Sequence, residues 1–193
     1  RAYTAVGAPS TWVLSNHDVV RHASRLALTA ENPQGYGVGP KSVGQPIPDV
    51  GLRRARAASA LMLALPGSAY MYQGEELGLP EVINIPDDAR QDPTWFRTNH
   101  ERYGRDGCRV PIPWTANAPA YGFNSTGESW LPQPAEWAEL ARDVQRANPD
   151  STLHLYEHRL RIRRERDLGH GGLTGLDGYG ADVLAFARPD GLH

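Results

Sequence analysis

Three polar constellations in this chain are built from residue types that do chemistry. The first is Asn16-His17-Asp18, which follows the apolar, β-branched run Ser10 to Asn16. A run of that kind reads as a short buried strand, and a carboxylate beside an imidazole at a strand's C-terminal end can hold hydroxyls or stabilise positive charge. The same three residues could instead cap a loop, with Asn16 and Asp18 satisfying backbone donors. The second is Arg109, in Arg105-Asp106-Gly107-Cys108-Arg109-Val110-Pro111-Ile112-Pro113-Trp114. The prolines stiffen its backbone and present a guanidinium for bidentate recognition of hydroxyls or a carboxylate. Alternatively, Arg109 pairs with Asp106 or Asp92. The third is Glu75-Glu76, a carboxylate pair that suits a structural role near a helix start better than catalysis.

Other signals take plainer readings. His154 and His158 are four residues apart, but no third metal ligand accompanies them. His17 with His22 is equally incomplete as a metal site. Cys108 has no recognisable activating partner and reads as a small packing residue. The glycines at 35, 37 and 39 neither follow a strand nor open a helix, so they do not form a phosphate-binding loop.

The elements that must position these residues follow from periodicity and breakers. Residues 32 to 51 carry nine prolines and glycines, which reads as irregular chain. Leu52 to Leu65 reads as a helix stopped by Pro66-Gly67, and Ala69 to Tyr72 as a second strand. Strand, helix, strand, with polar residues after each strand, is the signature of an α/β protein. Residues 77 to 133 read as a long irregular insertion. Its Trp95, Trp114 and Trp130 argue against disorder. A second helix is expected from Gln133-Pro134 to Ala147, with Pro134 in its first turn. A third is expected from the N-cap Ser151, with Leu153, Tyr156 and Leu160 on one face and Arg159 to Arg166 at its C-terminus. Glycine-rich turns from Leu168 lead to a strand-like run, Val183 to Arg188.

Composition removes whole classes. The 193 residues carry a net charge of −2, which argues against a basic nucleic-acid or membrane-surface protein. Mean hydropathy is −0.51 and no apolar run approaches the ~18 residues of a membrane span. One cysteine cannot form an internal disulfide. Of the 20 basic residues 19 are arginine, with Lys41 alone, a bias that reflects high-GC coding better than function. The chain starts at Arg1 rather than methionine and stops at His193 just after the strand-like run, so it is expected to be a piece of a longer protein.

In order, the motifs Asn16-His17-Asp18, Tyr70-Met71-Tyr72-Gln73-Gly74-Glu75-Glu76-Leu77-Gly78 and Gly104-Arg105-Asp106-Gly107-Cys108-Arg109-Val110-Pro111-Ile112-Pro113-Trp114 resemble glycoside hydrolase family 13, the α-amylase superfamily. The arginine-Pro-x-Pro-Trp segment is similar to the α-glucosidase, oligo-1,6-glucosidase and trehalose synthase branch. The resemblance implies the closing part of a (β/α)8 TIM barrel over residues 1–167, including the loop 77–133. Ser10 to Asn16 would be the seventh strand and Ala69 to Tyr72 the eighth, and residues 168–193 would begin a C-terminal β-sandwich domain.

It further implies retaining hydrolysis of α-glucosidic bonds by a nucleophilic aspartate and an acid/base glutamate. Both would lie upstream of Arg1, so no residue here takes either role. Asp18 matches the third, transition-state-stabilising carboxylate. His17 matches the histidine that bonds the same sugar, and Arg109 the arginine at its non-reducing end. Gly74 and Glu75 match a structural motif. The expected enzyme is a cytoplasmic, exo-acting α-glucosidase for short α-linked glucosides. Its partners would be a small oligosaccharide and the remainder of its own barrel, without nucleic acid, membrane, metal or cofactor. The isolated polypeptide, with open strand edges, is expected to be inactive. Glucosyl rearrangement of the trehalose synthase or sucrose isomerase type, and a non-catalytic homologue acting as an interaction partner, are the alternatives.

Overall fold

The structure, a computed structural model, describes residues 6–32 and 37–188. Pro33, Gly35 and the last residues, 189–193, therefore lie outside the described residues. Strand β1 (Thr11–Val13) pairs in parallel with β2 (Ser68–Tyr70), with Trp12 opposite Ala69. Helices α1 (His22–Arg25) and α2 (Pro48–Ala64) form the crossover between them, as the strand-helix-strand pattern requires. The strands are shorter and less buried than their apolar sequences imply. Only Trp12 and Ala69 are half-buried, packed on Met62, Leu63 and Tyr156, while their neighbours along each strand are exposed. The cause is geometric: a two-stranded sheet covered on one face leaves its other face and both outer edges in solvent.

Helix α2 begins a turn earlier than the breaker count implies. Pro48 stands in its first turn, where a missing N–H costs nothing. Gly51 is inside the helix because α1 crosses there, and a Cβ on Gly51 would lie 2.0 Å from the Ala23 carbonyl oxygen.

The expected second helix is divided. A 3-10 turn spans Ala135–Ala138 and α4 spans Arg142–Ala147, with Pro134 preceding the turn rather than inside it. The break occurs where Arg142 N–H bonds Pro113 O at 3.2 Å and Asp143 N–H bonds Trp114 O at 3.1 Å. These tertiary partners replace the helical ones. Helix α5 (Thr152–Glu165) starts as expected, with Ser151 Oγ accepting from His154 N–H at 3.3 Å. Leu153 and Tyr156 are buried, whereas Leu160 is about one-third exposed. In the basic run, Arg163 donates to the Leu63 and Leu65 carbonyls at 2.8 and 2.7 Å, closing the C-terminus of α2.

The segment read as an irregular insertion supplies most of the core. Leu77, Leu79, Val82, Ile85, Val110, Ile112 and Leu131 pack with Trp137 and Leu153. It holds 3-10 turns and one short helix, α3 (Pro93–Arg97). After α5, β3 (Thr174–Leu176) and β4 (Ala185–Ala187) form an antiparallel pair. The Arg188 guanidinium ties this pair back to the Leu168 and Gly172 carbonyls at 2.7 and 2.8 Å.

Candidate functional site

β1 delivers Asn16-His17-Asp18 into a tight turn in which Asp18 N–H donates to Asn16 Oδ1 at 2.8 Å. The capping reading therefore holds for Asn16, and its consequence is to leave the Asp18 carboxylate free to point outward. Asp18 is half-exposed and lies 3.3 Å, through Oδ2, from His17 Nε2. Its Oδ1 receives two guanidinium groups, Arg105 Nη1 at 2.7 Å and Arg109 Nη2 at 3.3 Å. Arg109 also donates through Nε to the His17 carbonyl at 2.9 Å. All three residues singled out from sequence thus converge, across more than 90 positions of chain.

Arg105 and Asp92 complete the cluster. Asp92 was visible in sequence only as one possible partner of Arg109, and that contact is long, 3.8 Å. Its main partner is Arg105, whose Nε, Nη2 and backbone N–H donate to it at 2.7, 3.3 and 2.8 Å. Burial alone would raise the Asp92 pKa, but the hydrogen bonds from Arg105 and Thr94 outweigh it and hold the carboxyl well below the usual range. The bond to Asp92, then that to Asp18, raises Arg105 above its ordinary value. Asp106, the other suggested partner of Arg109, instead accepts from the Gln91 and Asp92 N–H groups at 2.9 and 3.0 Å. It shapes the backbone that carries Asp92.

A buried arginine, Arg21, joins the turns after the two strands. It donates to Gln73 O and Cys108 O, both at 2.9 Å, lies over the Tyr72 ring, and gives its backbone N–H to Glu81 at 2.8 Å. Gly74 has φ +89°, and a Cβ there would approach Leu79 at 2.7 Å and Arg21 Nη1 at 2.9 Å. Only glycine lets the post-β2 turn close on that guanidinium. Cys108 has no exposed surface, and burial first, then Glu81, pushes its thiol up to about 12. It is unsuited to nucleophilic work.

The other polar residues form a separate, closed network. His22 touches Ser15 Oγ at 2.8 Å through Nδ1 and Ser59 Oγ at 3.3 Å through Nε2. Ser59 reaches the Tyr156 hydroxyl at 2.5 Å, and that hydroxyl donates to Glu75 Oε1 at 3.4 Å. Burial, aided by Arg25 and Arg21, lowers His22 to about 4, and burial raises Glu75 to about 7. Glu75 points into the core, as its structural reading expects, while Glu76 accepts from Gly74 N–H at 2.8 Å. The helical histidines have local partners: His154 lies 3.2 Å from Glu157, and His158 accepts from Arg161 at 2.9 Å.

A parallel α/β unit with a carboxylate-arginine cluster beyond its strand ends places the molecule among α/β proteins whose sites gather at the carboxyl ends of strands. Residues 4–171 match the family described as α-amylase, catalytic domain, and the chain belongs to that family. It is 33% identical over 181 residues to a probable α-glucosidase of Rhizobium meliloti, covering 93% of this chain and 29% of that protein. It is 29% identical over 185 residues to maltase A1 of Drosophila melanogaster, covering 94% of this chain and 27% of the maltase. Among solved structures, an α-glucosyl transfer enzyme, XgtA, superposes with a TM-score of 0.71 at 34% identity, over 94% of this chain and 30% of that one. The chain therefore spans under a third of the length of these relatives.

Proposed function

We propose that these residues form the sugar-holding side of the active site of a retaining, exo-acting α-glucosidase for short α-linked glucosides of the maltose and isomaltose type. In this reading β1 and β2 are strands seven and eight of a (β/α)8 barrel, residues 1–167 belong to it, and residues 168–193 open a β-sandwich domain. The observation that carries the proposal is the convergence of Asp18, His17 and Arg109 at the strand's carboxyl end.

The chemistry follows from that geometry. Asp18 is half-exposed, so its carboxylate can accept sugar hydroxyls, and its charge favours the oxocarbenium-like transition state over the ground state. Arg109, held by the His17 carbonyl and Asp18, offers donors to a sugar hydroxyl, and in this reading that contact suits cleavage from a chain end. The nucleophile and acid/base are assigned to no residue of this chain. Glu75 takes neither role, because it is buried against His22 and Tyr156. The cytoplasm is the proposed location; among the described residues no helix is long and apolar enough to cross a membrane.

Product analysis of the full-length protein on maltose, isomaltose, sucrose and trehalose tests the reading. Glucose is expected from the first two, and Asp18→Asn is expected to lower kcat by about 100-fold or more. The 193-residue polypeptide alone is expected to release nothing from p-nitrophenyl α-glucoside; release would overturn the placing of the catalytic pair elsewhere. A second reading, glucosyl transfer to an acceptor other than water, draws support from the 34% identity to a transfer enzyme. New glucosides in place of free glucose would select it.

A further inference from the structure

Two side chains that take no part in holding the sugar, Arg21 and Tyr72, meet at one main-chain oxygen, the carbonyl of Cys108, directly before Arg109. We propose that they are positioning residues, a clamp that sets Arg109 at its distance from Asp18 and so fixes the reach of the guanidinium to the sugar. The assignment rests on the α-glucosidase reading and deepens it.

The clamp closes a ring of contacts. Arg21 follows Asp18 by three residues in the segment after β1, and Tyr72 stands just past the end of β2. Arg21 Nη2 donates to Cys108 O at 2.9 Å across 87 positions of chain. The Tyr72 hydroxyl donates to the same oxygen at 3.0 Å across 36 positions. A carbonyl oxygen has two lone pairs, so these two donors use its full capacity. At the other end of the same peptide unit, Arg109 N–H donates to Asp106 O at 2.9 Å. The peptide plane ahead of Arg109 is thus held at both ends. From it the side chain runs to the His17 carbonyl and to Asp18 Oδ1, back to the segment that carries Arg21.

Stability alone accounts poorly for this arrangement. Arg21 is 1% exposed, yet its guanidinium donates to two carbonyls, Gln73 O and Cys108 O, and its Nε has no hydrogen-bond partner among the described residues. A buried cation set on carbonyls rather than on a carboxylate is an inefficient way to stabilise a fold. What it secures is a fixed distance between the two loops that bear Asp18 and Arg109. Tyr72 supports both members of the clamp, because Arg21 Cζ also lies 5.1 Å from the centre of its ring. Arg105, which bonds Asp18 Oδ1 at 2.7 Å, is held by Asp92 instead. The clamp therefore acts on the sugar contact of Arg109 more than on the orientation of Asp18, and its loss should appear in KM rather than in kcat.

Arg21 is too buried for its variants to separate function from folding, so Tyr72→Phe carries the test in the full-length protein. It removes one hydroxyl and leaves the ring beside Arg21. The KM for maltose and for p-nitrophenyl α-glucoside is expected to rise about three- to tenfold, with kcat within about two-fold. Tyr121→Phe, which takes a hydroxyl from the Ala135 carbonyl, is the control and should leave KM within about 1.5-fold. In an Arg109→Lys background the effect of Tyr72→Phe should shrink below about 1.5-fold, because the clamp acts through that guanidinium. Four results would overturn the clamp: an unchanged KM in Tyr72→Phe, a loss confined to kcat, an equal rise in Tyr121→Phe, or a full effect retained beside Arg109→Lys. Where a protein shows no turnover, the same comparisons are made on the calorimetric Kd for maltose. No turnover by the wild type means that the catalytic reading fails, and the clamp falls with it only if the wild type binds no maltose.

Discussion

Replacing Asp92 by asparagine tests the ionic framework directly. Its side chain has no exposed surface and accepts four hydrogen bonds, three of them from Arg105 at 2.7, 2.8 and 3.3 Å and one from Thr94 N–H at 2.8 Å. Asparagine preserves the size and the N-cap of α3, because its carbonyl can still accept from Thr94. What it loses is the charge, and it turns an NH2 toward the Arg105 donors. Charge-assisted bonds are worth about 1.5–3 kcal/mol each. The Arg105 side chain is 36% exposed and can turn to water, so the net loss is discounted to about 2–3 kcal/mol in total. Urea unfolding of the wild type, Asp92→Asn, Arg105→Gln and the double variant should give a coupling of about 1.5 kcal/mol or more. The pH dependence has a definite sign. The folded-state pKa of Asp92 lies below its unfolded value, so its contribution is complete above about pH 4 and drains away as pH falls toward the folded value. The deficit of the variant should therefore be largest near neutrality and shrink in acid. A deficit below about 0.5 kcal/mol at pH 7, or one that grows in acid, would refute the reasoning.

Glu75→Gln should act in the opposite pH direction. Burial raises the Glu75 carboxyl from 4.5 to about 7 and its Oε2 lacks a hydrogen-bond partner, so its ionisation weakens the fold progressively between those values, by about 3 kcal/mol at most. The stability of the variant relative to wild type should rise from pH 4.5 to pH 8. Glu81, also raised to about 7, keeps its own slope in both proteins, and a flat difference curve would exclude the effect. Gly51→Ala sets helix propensity against packing: alanine gains about 1 kcal/mol in a helix, but its Cβ would lie 2.0 Å from Ala23 O. The variant should be destabilised by about 2 kcal/mol or more in thermal or urea unfolding, and a stabilised variant would mean that α1 and α2 separate freely.

What was legible in the sequence was local. Asn16, His17 and Asp18 are consecutive, so one turn fixes their relation, and Ser151 caps the helix that it directly precedes. The start of α2 was hidden because proline and glycine count as breakers wherever they stand. Pro48 sits in the first turn, and Gly51 faces a crossing helix that no nearby residue announces. Residues 77 to 133 are irregular, as their breakers imply, but their share of the core is not announced by any local pattern. Their apolar side chains follow neither helical nor strand spacing, yet seven of the nine residues in the main core cluster come from that stretch. Irregular chain can be buried when side chains satisfy its backbone, as Gln145 does for Leu77 O at 2.8 Å and Arg21 for Cys108 O at 2.9 Å. No local pattern marks Arg105, because its two carboxylates lie 13 and 87 positions away.

The same framework determines how Asp18 meets a ligand in the glucosidase reading. Asp92 is buried and cannot serve the ligand, so its role is to hold Arg105, while Arg105 and Arg109 together occupy Asp18 Oδ1. That leaves Oδ2, whose near neighbour is His17 Nε2 at 3.3 Å. A sugar hydroxyl must approach on that side, sharing the oxygen with the imidazole or displacing it. His17 is 68% exposed, whereas both guanidiniums are anchored from behind, Arg105 by Asp92 and Arg109 by the His17 carbonyl. In this reading the anchored guanidiniums orient the carboxylate, and a ligand meets it on the side of the exposed imidazole. It follows that His17→Ala should raise KM with a smaller change in kcat, while loosening Arg105 should lower kcat by letting Asp18 leave the orientation in which the transition state needs it.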